Sequence, residues 1–96
     1  MKENKPTVYD FTKVMMEERF GEFAERNVSK TLGNVIHQNT GDLGLDEIAR
    51  TIYKEGKAAI PEMYVSVIVA ILEDPQSNMV IAAKRAVLDL LTKNKK

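Results

Sequence analysis

The sequence predicts an all-α protein: a compact bundle of about five helices around a nearly all-apolar central helix at about 61–73, ending in a helical hairpin over 61–92. Two observations carry that expectation. Apolar residues recur at spacings of three and four along the 96 residues, while strict two-residue alternation is nearly absent, so the dominant period is helical. A composition of 44% hydrophobic and 29% charged residues is globular rather than disordered, and a chain this short supplies one core. A single helical domain is expected over 1–96, with frayed ends at 1–6 and 93–96.

The first helix is expected from about Val8 to Arg26. Tyr9, Met15, Met16, Phe20 and Phe23 make a wide apolar stripe with Val8 and Phe11 at its edge, and Glu18, Glu22 and Glu25 fall on the opposite face. Gly21 is the one residue that argues for a kink or break near Phe20. Asn27 and Ser29 favour caps over helix interiors, so the chain turns there. A short second helix follows, about Val28 to Asn39, burying Val28, Leu32, Val35 and Ile36. Asn39 to Gly44, with two glycines and three polar turn formers, is the clearest loop. Helix three runs from about Leu45 to Lys54, with Asp46 and Glu47 suited to its positive N-terminal end and Gly56 as its stop.

The fourth segment differs in kind. Pro61 suits a first helical position, and from Met63 to Leu72 only Ser66 interrupts an apolar series, so this helix should be buried nearly all round. Its β-branched residues, Val65, Val67, Ile68, Val69 and Ile71, also suit a buried strand; helix is preferred because no second strand candidate exists to pair with it. Asp74-Pro75 reads as a cap and first position of a last helix reaching about Thr92. Its main apolar face is Met79, Val80, Ala83, Ala86, Val87 and Leu90, with Ile81 and Leu88 on another side. The series Asp74-Pro75, Met79, Ala82-Ala83, Ala86-Val87, Leu90 resembles the second helix of a HEAT-type repeat, where small residues allow close helix contact. The likeness covers roughly Pro61 to Leu91 and has no second copy at a period of roughly 35 to 50 residues, so it describes local packing and not family membership.

Chemistry is scarce in this chain. There is no cysteine, and His37, the one histidine, shares a solvent-facing side of its helix with Lys30 and Asn34, so neither a zinc site nor an acid–base pair is indicated. No phosphate-binding glycine motif, nucleophile elbow or EF-hand spacing occurs. The expectation is a protein that is not an enzyme and has no cofactor and no metal. Leu45 to Arg50 followed by Lys54-Glu55-Gly56-Lys57 has the look of a helix-turn-helix opening, but the helix after it offers only Glu62, Tyr64 and Ser66 to read bases.

Fourteen basic and fourteen acidic residues sum to a net charge of zero, which removes the ordinary argument for a nucleic-acid binder. The zero is a cancellation, however: residues 31–74 carry three basic and seven acidic side chains, and residues 75–96 carry five basic and one acidic. Met1 is followed by polar residues rather than an apolar signal, and no apolar run reaches bilayer length, so a cytoplasmic protein without membrane association is expected. The functional expectation is a small interaction protein (an adaptor, inhibitor or accessory protein) that self-associates, a dimer being favoured, or docks on a protein partner. Ile81, Leu88 and Leu91 are its candidate interface, and Glu18, Glu22 and Glu25 a candidate acidic docking face. The alternative is a nucleic-acid-associated regulator using Lys84, Arg85, Lys93, Lys95 and Lys96.

Overall fold

The computed structural model describes residues 7–77 and 79–93. Along them run β1 (Thr7–Asp10), β2 (Val14–Arg19), β3 (Glu22–Arg26), α1 (Ser29–Asn39), α2 (Leu43–Glu55), β4 (Lys57–Ile60), α3 (Glu62–Glu73) and α4 (Ile81–Lys93). Two antiparallel two-stranded sheets, β1–β4 and β2–β3, accompany the four helices among the described residues, so the fold is α+β and not an all-α bundle of five helices.

The correction lies mainly in the first quarter of the chain. The stretch expected as one helix, about Val8 to Arg26, is three strands. Gly21 takes φ 81°, the left-handed region that a side chain resists, and so reverses the chain instead of kinking a helix. The strands it joins pair with Met16 opposite Ala24 and Glu17 opposite Phe23, with an irregularity between Glu17 and Arg19. Near the tip, the Gly21 N–H donates to Glu17 Oε2 at 2.7 Å. Arg26 grips the Glu18 carboxylate across the two strands, its Nη2 donating to Oε1 at 2.9 Å. A lone hairpin is marginal in water, and here β2 packs on α4.

β1 and β4 pair across all the intervening chain, Tyr9 opposite Ala58 and Thr7 opposite Ile60. Tyr9, Ala58 and Ile60 are buried while Val8, Lys57 and Ala59 are exposed, which is strand alternation. Just beyond β1, Phe11 joins three parts of the fold. Its N–H donates to the Gly56 carbonyl at 2.8 Å, its carbonyl accepts from the Val28 N–H at 2.9 Å, and its ring lies fully buried against Tyr9 with centroids 6.2 Å apart. Phe11 was expected at the edge of an apolar stripe and is instead central.

α1 and α2 form close to the expected positions, α1 behind a turn at Asn27 with no side-chain bond at its N-cap Val28, and α2 two residues earlier than expected, capped by Asp42 from within the expected loop. Asn27 Oδ1 accepts from the backbone and hydroxyl of Ser29, Asp42 Oδ1 accepts from the Gly44 N–H at 2.8 Å, and Gly56, at φ 83°, closes α2 with a bond to the Ile52 carbonyl. A three-residue loop, Thr40 to Asp42, joins α1 to α2, and the two helices pack against each other. Gly33 makes the close approach: a Cβ there would lie 2.9 Å from the Ala49 carbonyl oxygen. The helix-turn-helix weighed at Leu45 to Lys57 is absent, because β4 occupies the segment after Gly56.

α3 is a helix, but it is not a central one. Val65, Ile68, Ile71 and Leu72 are buried, whereas Met63, Ser66, Val67 and Ala70 are exposed. Asp74-Pro75 does not start the last helix. The Asp74 carboxylate accepts from the Gln76 N–H two residues on, closing a local turn, and its carbonyl accepts from the Ser77 N–H, the Ser77 hydroxyl and Lys84 Nζ. α4 then begins at Ile81 and buries Ala83, Val87 and Leu91, continuing the line from Met79. The likeness to a HEAT-repeat helix is thereby cut back, since its capped proline start lies outside α4. Residues 1–6 and 94–96 of the ends expected to fray lie outside the described residues, and Lys93 closes α4.

Candidate interaction surface

Pleating of β2 and β3 sorts their side chains onto two faces. Val14, Met16 and Ala24 share the face that is partly or fully buried; Met15, Glu17 and Phe23 share the other, and Met15 and Phe23 remain exposed. Phe20 projects from the hairpin tip with its side chain entirely in solvent, at 101% relative exposure. At the start of the neighbouring α4, Ile81 is exposed at 63%, and Val80 just before the helix at 66%. Met15, Glu17, Phe20, Phe23 and Ile81 border two adjoining grooves. One, of about 670 Å³, lies between Phe20 on the hairpin and Ile81, Ala82 and Arg85 on α4. The other, of about 460 Å³, lies between Met15 and Phe23 and the Ala82, Arg85, Ala86 and Leu88 side of α4. Glu17 and Arg85 border both. Apolar surface concentrated in this way, rimmed by charge, is characteristic of interfaces.

A smaller concavity of about 310 Å³ lies between α1 and α2, lined by Gly33, Asn34, His37, Arg50, Tyr53 and Lys54. Beside it Asp46, whose side chain is only 16% exposed, is bound on both oxygens: by His37 Nδ1 at 2.5 Å and by Arg50 Nε at 3.2 Å. The hydrogen bond to His37 above all, with help from Arg50, holds the Asp46 carboxyl below its ordinary range. The partner of His37 is thus one turn inside α2, beyond the Asp42 that chain proximity suggests.

No protein-family model, curated protein or solved structure matches the chain. Among the described residues no helix is long and apolar enough to cross a membrane, and no group of three or more His, Cys, Asp or Glu could hold a metal ion.

The residues singled out from sequence fare differently. Ile81 is exposed at the edge of the first groove, and Leu88 is half-buried at the second. Leu91 is fully buried in the core and presents nothing to a partner. Glu18, Glu22 and Glu25 are on the hairpin rather than on one helix face. Glu18 is held by Arg26 and shares a concavity with Glu22, which stands opposite Arg19, while Glu25 stands opposite Met15, so the three do not form one acidic face. Of the basic block, Lys84 is 9% exposed and donates to the Asp74 carbonyl at 3.1 Å. Arg85 is exposed beside the grooves; the Lys93 side chain, Lys95 and Lys96 lie outside the described residues. Met15, Phe20 and Phe23 are the surface residues that periodicity assigned to a buried stripe, and Gly21 was the signal of the hairpin that exposes them.

Three depressed carboxyls give the fold a pH dependence. Asp10 is lowered chiefly by the Thr12 hydroxyl, Glu18 by the Arg26 guanidinium and Asp46 by His37. A carboxyl lowered in the folded state contributes stability above its unfolded pKa and loses it as acid protonates the folded form. The urea midpoint should therefore be near-constant from pH 7 to about 5 and fall below about pH 4, with Asp46→Asn flattening part of that fall. A midpoint that rises on acidification below pH 4 would contradict these assignments.

Proposed function

We propose that this chain is a non-enzymatic interaction protein that pairs with a second copy of itself through the hairpin and α4. The observation that carries the reading is the cluster of exposed Met15, Phe20, Phe23 and Ile81 around two connected grooves. The surface is suited to a two-fold pairing, in which each contact occurs twice. It offers projecting aromatic side chains on the hairpin and a floor of small residues, Ala82 and Ala86, on α4. It also carries both signs of charge, with Glu17 on the hairpin and Arg85 on the helix, and the chain as a whole has no net charge to repel its copy. The nucleic-acid alternative is less well supported, because Lys84 is engaged inside the fold.

Light scattering during gel filtration tests the proposal. The wild type should elute at twice the 10.8 kDa chain mass. The double variant Phe20→Glu, Ile81→Glu should elute as the single chain with an unchanged circular dichroism spectrum. A central aromatic anchor is worth about 2 kcal/mol or more and a two-fold pair contains it twice, so Phe20→Ser alone should weaken pairing roughly 1,000-fold. A wild type of single-chain mass at high concentration, or a folded double variant that stays paired, would overturn the reading.

A further inference from the structure

The groove between α1 and α2 shares no residue with the pairing surface and has a different chemistry. Lys54, Arg50 and His37 line it, and among its described lining residues none is acidic. The Arg50 and His37 side chains are open to solvent, at 61% and 58% exposure, yet both are fixed at one end by the same partly buried carboxylate. Asp46 takes the Nδ1 side of the imidazole and the Nε of the guanidinium, which leaves Nε2 and the terminal amino groups as the edges for a ligand. Gly33 lets the helices approach until backbone forms the floor, and Tyr53 supplies an aromatic wall steadied by Lys30 Nζ, 4.5 Å from the ring centroid.

We propose that this groove binds a phosphorylated small molecule, with Arg50 and Lys54 holding the phosphate, His37 and Asn34 offering directional hydrogen bonds, and Tyr53 meeting a planar group attached to it. The volume of about 310 Å³ is at the lower end of the range for small-molecule sites. Glu47 and Glu55, exposed on the same helix α2, add negative charge that is unfavourable to a long polyanion. Orientation of two donors by one carboxylate also reduces the ordering cost of binding.

Amide chemical-shift titration of the full chain with adenosine monophosphate is the test, with inorganic phosphate and adenosine as separate arms. The nucleotide should give saturable shifts concentrated at residues 33–37 and 49–54. Inorganic phosphate should move the same amides at higher concentration, and adenosine should leave them in place. The variant Arg50→Gln, Lys54→Gln should bind the nucleotide at least roughly tenfold more weakly, as expected for losing charge-assisted hydrogen bonds, with the rest of its spectrum unchanged. Scattered or absent shifts, equal shifts from adenosine, or shifts that survive in the double variant would overturn the proposal. Tighter binding of a short single-stranded oligonucleotide than of the mononucleotide would overturn the assignment to a small molecule.

Discussion

Replacing Phe11 with alanine should lower the free energy of unfolding by about 3–5 kcal/mol, the range for removing a buried phenylalanine ring. The side chain is 0% exposed, and the segment that carries it is bonded to both Gly56 and Val28. Loss of the ring would open a cavity at the meeting point of β1, the end of α2 and the start of α1, where backbone bonds on both sides limit collapse. Against a total stability of about 5–15 kcal/mol for a domain, a loss of this size leaves little reserve. Urea unfolding followed by circular dichroism measures it. Phe11→Leu should retain most of the stability, and a cost below about 1 kcal/mol for the alanine variant would place Phe11 outside the main core.

Gly56→Ala should be comparably severe, and for two separable reasons. The backbone there has φ 83°, where a side chain costs roughly 1–2 kcal/mol. A Cβ would also lie 2.2 Å from Thr12 Cγ2, adding an overpacking cost of about 1–3 kcal/mol. Thr12→Ser removes that methyl while keeping the hydroxyl that donates to Asp10. In the Thr12→Ser background, Gly56→Ala should therefore cost only the conformational part, and the double-mutant cycle should show the difference as coupling. Equal costs in the two backgrounds would assign the whole penalty to the backbone.

Both positions show how unevenly the fold is written along the chain. α1, α2 and α3 follow from local signals: Asn27 and Asp42 as turn or cap residues, Gly56 as a left-handed stop, and an apolar period near 3.6 between them. The first quarter misleads because Tyr9, Met16, Phe20 and Phe23 are also spaced as a helix would space them. Only one of those four is fully buried, and Phe20 and Phe23 face solvent. At Asp74-Pro75 the misleading signal is chemical. The aspartate that could cap a helix closes a turn instead, and Lys84, which charge patterning placed with the exposed basic block, is drawn inward to its carbonyl.

By itself, then, the sequence determined the positions of three helices, the stop at Gly56, the exposure of Ile81 and the scarcity of catalytic groups, because caps, glycine φ and helical periodicity act between near neighbours. Tertiary structure alone decided the pairing of β1 with β4, the hairpin–α4 surface, the His37–Asp46–Arg50 cluster and the burial of Leu91 and Lys84. Strands of four to six residues are too short to carry a period of their own, and their register is set by partners. For β1 that partner arrives only after a hairpin and two helices have intervened.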